Sequence, residues 1–153
     1  MRAGASAPVV NYSTLAEDLA SHGYVVLAFD APYRTGQVVF PDGRVIARPP
    51  KNNPELFSGA ELTRLADKLL AAWTADIGFV LDRLVQWNAS STSGKFAGRL
   101  DMTRVGVFGH SLGGATVAQF CSEDSRCKAG IDIDGSLHGS SFRKVSTNYS
   151  CSS

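Results

Sequence analysis

Residues 109–113 have the sequence Gly-His-Ser-Leu-Gly, a spacing typical of a serine nucleophile held at a sharp turn. The apolar run 105–108 leads directly into this motif, and the small residues Gly113, Gly114 and Ala115 follow it. A strand that turns abruptly into a helix at a serine is a nucleophile elbow, which lifts the hydroxyl above the edge of a sheet. Because short glycine motifs also occur by chance, the flanking strand and helix carry this prediction.

Each residue type in the motif has a physical reason. Ser111 must adopt strained backbone angles to expose its hydroxyl, and Gly109 and Gly113 leave room where strand and helix crowd the turn. The N–H of Leu112 opens the next helix, at its positive end, and can donate to the oxyanion of a tetrahedral intermediate. The sequence therefore predicts acyl transfer with Ser111 as nucleophile. A glycine-rich turn with an incidental serine is the alternative.

A serine nucleophile needs a base, and the base needs a carboxylate that orients it. Asp134 ends the next predicted strand, at the same edge of the sheet as Ser111. Asp132 lies two residues earlier and faces the same side. The residues alone favour Asp134 and leave Asp132 open, and either carboxylate could instead make hydrogen bonds within a turn.

The chain has three histidines as candidates for the base. His22 is expected at the surface, at the end of the first helix, where its charge would interact with the helix dipole. His110 is the variable position inside the elbow. His138 follows Asp134 by four residues in the same loop, and we do not expect it to replace the base.

The elements around the elbow predict an α/β fold, because strands that alternate with helices form a mainly parallel sheet with flanking helices. Apolar residues at steps of three and four indicate the helices, and short apolar runs indicate the strands. The predicted elements are a helix over 14–22, a strand over 24–30, a hairpin over 38–46, a helix over 58–87, a strand over 105–108, a helix over 115–121 and a strand over 129–134.

Composition excludes several classes of protein. The chain has 153 residues, a formal net charge of +1 and 44% hydrophobic residues, as expected for one globular domain. The charge balance gives no reason to expect a nucleic-acid or anionic-membrane partner. Neither a transmembrane run nor a signal peptide is visible, so we expect a soluble protein of undetermined compartment and oligomeric state. The three cysteines are expected to be core or incidental thiols, without a metal site.

Segment 104–139 resembles the platelet-activating-factor acetylhydrolase family of α/β-hydrolases in its GHS-x-GGAT motif, its SED and its G-I-x-x-D. Segment 12–30 is similar to that family's first helix and following strand. The resemblance implies Ser111 as nucleophile, Asp134 as triad acid, and Leu112 and Ala5 as oxyanion donors. It also implies a small-molecule ester or phospholipid substrate, hydrolysis of the sn-2 short acyl group of 1-alkyl-2-acetylglycerophosphocholine in lipid degradation, and no metal or organic cofactor.

The chain departs from the family pattern at both ends. In the family, a strand precedes the loop that corresponds to Ala5, and this strand is missing here. Only 19 residues follow Asp134, whereas the family's catalytic histidine comes after two further strands. We therefore expect a partial α/β-hydrolase core over 1–139, without its N- and C-terminal strands, and a disordered polar tail over 140–153. Activity is expected to be impaired by loss of the histidine. The alternatives are a truncated, non-catalytic fragment or pseudoenzyme, and an esterase similar to cutinases or dienelactone hydrolases.

Overall fold

The computed structural model of the chain describes residues 1–5, 7–90 and 94–136. Three features of the sequence analysis lie outside these residues: the predicted tail over 140–153, its boundary at 139, and His138. The helices are α1 (Ser13–Ser21), α2 (Gly59–Ala89) and α3 (Leu112–Glu123). The strands are β1 (Gln37–Val39), β2 (Val45–Ala47), β3 (Val105–His110) and β4 (Cys127–Ile133). Short 3-10 turns cover Val9–Tyr12, Pro50–Asn52, Pro54–Leu56 and Gly94–Phe96.

The central unit is the predicted strand–helix–strand crossover. β3 and β4 pair in parallel, with a register that ends at His110 opposite Ile133. On the other side of β3, Arg2 forms a parallel bridge to Gly109. The Arg2 N–H donates to Phe108 O at 2.9 Å, and the His110 N–H donates to Arg2 O at 3.2 Å. Among the described residues, a single bridge rather than a strand therefore lies on this side of β3.

The side chain of Arg2 anchors this bridge to α2. Its guanidinium is buried, lies 4.0 Å from the centre of the Trp73 ring, and donates to Phe29 O at 3.0 Å. Burial is the main reason why the pKa of Arg2 is lowered to about 10. The N-terminal residues beside the elbow are thus held by backbone and side chain together.

Segment 24–30 was predicted to be a buried strand, and that prediction is wrong. The structure assigns no strand there, and the side chains of Tyr24 and Val25 are 66% and 60% exposed. A strand requires a ladder of backbone hydrogen bonds with a neighbour. Segment 24–30 accepts hydrogen bonds from residues 1 and 2, for example from the Arg2 side chain to Phe29 O. These hydrogen bonds do not form the regular backbone ladder of a strand.

Helix α2 confirms the periodicity prediction. Apolar residues spaced three and four apart give α2 one apolar face, which lies in the interior. The core between α2, α3 and β3 contains Ile77, Leu81, Val107, Val117 and Phe120. Ser58 is the N-cap residue, as expected, but its side chain makes no capping hydrogen bond. The long helix therefore packs on α3 and shares a core with β3.

The hairpin prediction is also confirmed. β1 and β2 pair antiparallel, with Val38 opposite Ile46. The turn between them places Gly43 at φ 82°, which glycine adopts without steric cost. This hairpin lies in the connection between segment 24–30 and α2.

The cysteine prediction is wrong for two of the three residues. Cys121, in α3, forms a disulfide with Cys127, the first residue of β4. The sharp connection from helix to strand brings their Cα atoms to 5.0 Å, within the range that a disulfide requires. The spacing of six residues gave no indication of this, because the geometry depends on the crossover.

Candidate active site

The backbone of Ser111 has the geometry of a nucleophile elbow. Its φ of 54° and ψ of −127° are strained angles for a residue with a side chain. The Ser111 N–H donates to Ile133 O at 2.8 Å. Its carbonyl accepts from the N–H groups of Gly114 at 2.8 Å and Ala115 at 3.1 Å. The turn is therefore held by β4 on one side and by α3 on the other.

The glycines of the motif are required by close backbone contacts. A Cβ on Gly109 would lie 2.9 Å from Gly114 N and even closer to the Gly113 carbonyl. A Cβ on Gly113 would lie 2.6 Å from Arg2 O. Both distances are shorter than a carbon atom tolerates, so strand, elbow and helix can approach this closely only without side chains.

Leu112 is the first residue of α3. Helix geometry leaves the first N–H groups without an acceptor inside the helix, and the helix dipole makes this end positive. The N–H of Leu112 is therefore one of the donors at the positive end of α3, next to Ser111.

The loop with the second candidate donor lies against the nucleophile. A Cβ on Gly4 would lie 3.3 Å from Ser111 Cβ. The next residue, Ala5, accepts a hydrogen bond at its carbonyl from Arg48 Nη1 at 2.6 Å. The other terminal nitrogen of Arg48 donates to Asn53 Oδ1, also at 2.6 Å. The sequence analysis did not identify Arg48, since one arginine after a short strand gives no signal of this contact.

The two candidate acids are both exposed and differ in their hydrogen bonds. The register of β3 and β4 ends one residue before Ser111 and Asp134, so both leave the same edge of the sheet side by side. Asp134 is exposed and has a φ of 56°. The Asp132 Oδ1 accepts from Gly135 N at 2.8 Å, and a Cβ on Gly114 would meet that oxygen. Asp132 therefore holds the turn after β4 and lies close to the start of α3, whereas the Asp134 carboxylate has no hydrogen-bond donor among the described residues.

The two described histidines have other partners. His110 Nδ1 lies 2.8 Å from the hydroxyl of Tyr12. His22 is exposed at the end of α1, and its Nδ1 lies 2.8 Å from Asp18 O. Within the described ranges no hydrogen bond joins either imidazole to Ser111. The structure thus places Leu112 and Gly4, the neighbour of Ala5, beside Ser111 and brings Asp134 to the same edge of the sheet.

Burial, followed by the neighbouring negative charge of Asp134, raises the pKa of Asp132. Ionised Asp132 consequently costs stability as pH rises from its unfolded pKa, about 3.9, through its higher folded pKa. Asp132→Asn keeps an oxygen for the Gly135 N–H and should be more stable than wild type at neutral pH. The advantage should vanish below the unfolded pKa.

Urea denaturation across this pH range measures the effect of Asp132→Asn. The charge-matched control is Asp67→Asn, on the exposed face of α2. If Asp132→Asn is less stable than wild type at neutral pH, the raised pKa of Asp132 in the folded protein is contradicted.

Comparison with known proteins shows which family the chain resembles. Residues 76–141 match the model of the family described as platelet-activating factor acetylhydrolase, isoform II. The matched range contains the whole elbow and both candidate acids. The chain is related to the platelet-activating factor acetylhydrolases. The resemblance predicted from the sequence is confirmed.

Three relatives extend this result. A probable 1-alkyl-2-acetylglycerophosphocholine esterase of Arthroderma benhamiae is 30% identical over 132 residues, which cover 84% of this chain and 28% of the relative. A platelet-activating factor acetylhydrolase of Cavia porcellus is 54% identical over 37 residues, 24% of this chain and 8% of the relative. A ferulic acid esterase from Streptomyces cinnamoneus has a TM-score of 0.70 and 33% identity, covering 89% of this chain and 35% of that structure.

These comparisons confirm a partial α/β-hydrolase fold, since the likeness to the ferulic acid esterase covers most of the chain. The chain spans about a third or less of the length of these acetylhydrolase and esterase relatives. No described helix is long and apolar enough to cross a membrane.

Proposed function

We propose that this chain carries the nucleophile, the acid and the oxyanion donors of a serine carboxylic-ester hydrolase. The single observation that supports this best is the strained backbone of Ser111, held between β4 and α3. Structural strain of this kind persists where the surroundings enforce it, and it clusters at functional sites. The name of the Arthroderma benhamiae relative suggests the substrate, a phospholipid with a short acyl group at the sn-2 position.

The proposed reaction proceeds in two halves. The Ser111 hydroxyl attacks the ester carbonyl, a histidine takes its proton, and Asp134 orients that histidine. The N–H groups of Leu112 and Ala5 stabilise the oxyanion. When this intermediate collapses, the C–O bond to the leaving group breaks and the histidine returns the proton to that oxygen, which releases the alcohol and leaves an acyl-serine. Water then attacks the acyl-serine with the help of the same groups and releases the acid. The mechanism requires neither a metal nor an organic cofactor.

The histidine determines how fast this chain reacts. Loss of one triad member leaves roughly 10³–10⁴-fold acceleration over water from the remaining groups. We propose that the chain hydrolyses esters slowly alone, because its described residues offer no imidazole to Ser111. Free imidazole in the buffer should then restore part of the rate.

Acyl preference tests the substrate class. With imidazole present, hydrolysis of p-nitrophenyl acetate should exceed that of the octanoate and of a feruloyl ester. The same order should hold for 1-alkyl-2-acetylglycerophosphocholine against a long-chain phosphatidylcholine. Preference for the feruloyl ester would instead assign the specificity named for the Streptomyces cinnamoneus esterase.

The second candidate function is ligand binding without turnover. It is favoured by the engagement of His110 with Tyr12, which leaves that imidazole no described contact with Ser111. Hydrolysis equal to that of Ser111→Ala, with and without imidazole, would favour this alternative.

Arg48 is a proposed positioning residue, because it holds the carbonyl of Ala5. Arg48→Ala should lower kcat by about tenfold, the effect of one charged hydrogen bond, with little change in KM. Arg48→Lys should recover part of kcat. The matched control is Arg44→Ala in the same hairpin, where Arg44 pairs with Asp42. Equal effects at both positions would contradict the proposal.

A further inference from the structure

A groove outside the elbow concentrates positive charge. It has a volume of about 480 Å³ and lies between the Pro50–Asn52 turn and α2. Four basic side chains line it, and Glu61 is the one acid among the lining residues. The basic residues are Arg34, Lys51, Arg64 and Lys68.

The charge of this groove is largely uncompensated. Arg34 forms an ion pair with Asp76 at 2.9 Å. Lys51, Arg64 and Lys68 form no ion pair within the described part of the chain. Arg64 and Lys68 are one helical turn apart, an arrangement in which like charges repel. An anion in the groove would relieve this repulsion.

The base of the groove and part of its wall are held by contacts within the protein. Leu65 and Leu69 form its base and are buried against the rest of the molecule. On the opposite wall, the Asn52 side chain donates to Tyr33 O at 2.9 Å. Half-buried Phe57 adds an apolar surface beside the charges. The backbone around the basic side chains therefore needs no rearrangement to admit a ligand.

We infer that this groove binds the phosphate group of a ligand. A phosphate presents several acceptor oxygens with up to two negative charges, which match the forked donors of Arg64 and the ammonium groups of Lys51 and Lys68. Phe57 would contact the organic part of the ligand. The inference does not depend on Ser111, and it goes beyond the proposed hydrolysis.

Titration of the whole chain with inorganic phosphate tests this inference. Calorimetry should show saturable binding that weakens with salt, because exposed charges are screened over about 8 Å at physiological ionic strength. The double variant Arg64→Gln/Lys68→Gln should bind at least about tenfold more weakly, the effect of one lost charged hydrogen bond or more. Ser111→Ala should bind like wild type, which separates this site from the proposed hydrolysis.

The charge-matched control is Arg83→Gln/Lys128→Gln, which removes two cations outside the groove. Binding that is absent in wild type, or lost equally in both double variants, would overturn the inference. Vesicles of phosphatidylcholine with and without phosphatidic acid identify the source of the phosphate. Retention on phosphatidic acid that Arg64→Gln/Lys68→Gln removes indicates a lipid headgroup, whereas binding of inorganic phosphate alone indicates a small molecule. Either outcome supports the site.

Discussion

Replacing Ser111 by alanine is expected to abolish the imidazole-dependent part of ester hydrolysis by this chain. The Ser111 hydroxyl is the group of the protein that forms the covalent bond to the acyl carbon, so imidazole has no nucleophile to activate in the variant. After the direct hydrolysis of a short-chain p-nitrophenyl ester by imidazole is subtracted, the variant should react at the same rate with and without imidazole, and the oxyanion donors account for any residual acceleration. Because alanine requires the same strained φ as serine, urea denaturation should show that Ser111→Ala remains folded.

Rescue by imidazole also distinguishes the roles of Asp134 and Asp132. Imidazole that rescues Ser111 should be oriented by Asp134, since a carboxylate holds the imidazole and stabilises its protonated form. Asp134→Asn should therefore lose most of the rescue. Asp132→Asn is the matched control and should keep it, because the new amide oxygen can still accept from the Gly135 N–H. Rescue that depends on position 132 and not on 134 would exchange the roles of these residues.

Gly109→Ala is expected to cause a large loss of stability at the elbow. The new Cβ would lie 2.9 Å from Gly114 N and closer still to the Gly113 carbonyl, so backbone atoms must move. Overpacking against a fixed backbone costs about 1–3 kcal/mol and sometimes more. We expect a loss near the upper end of that range, with loss of any rescue by imidazole.

Gly106→Ala is the control in the same strand. A Cβ there would lie 3.8 Å from Ala129 O, an ordinary contact. Its stability should equal that of wild type or exceed it by about 0.4–1 kcal/mol, because alanine restricts the unfolded chain. Urea midpoints compare the two variants directly. Equal losses of stability in the two variants would mean that β3 is sensitive to alanine along its length, and that the requirement for glycine is not specific to the elbow.

The elbow and the central crossover could be predicted from the sequence because their causes are local. The crowded turn requires Gly109 and Gly113, and the apolar period of α2 is visible over its whole length. The strand ends of β3 and β4 bring Ser111 and Asp134 to one edge for the same reason, since parallel strands share their carboxyl edge.

Other features depend on distant partners and could not be predicted. Segment 24–30 has the apolar composition of a buried strand, but a strand exists only where a neighbour supplies a ladder. The disulfide between Cys121 and Cys127 depends on how α3 returns to the sheet. The bond from Arg48 to Ala5 crosses 43 residues of sequence, and no local pattern indicates it.

Covalent labelling of Ser111 by a fluorophosphonate tests the central claim most directly. Wild type, incubated with the probe and imidazole, should acquire one adduct, and mass spectrometry of its peptides should locate that adduct on Ser111. Ser111→Ala should remain unlabelled, and labelling should slow without imidazole. A chain that remains unlabelled under both conditions, or one that is labelled at another serine, would contradict the account of Ser111 as the nucleophile.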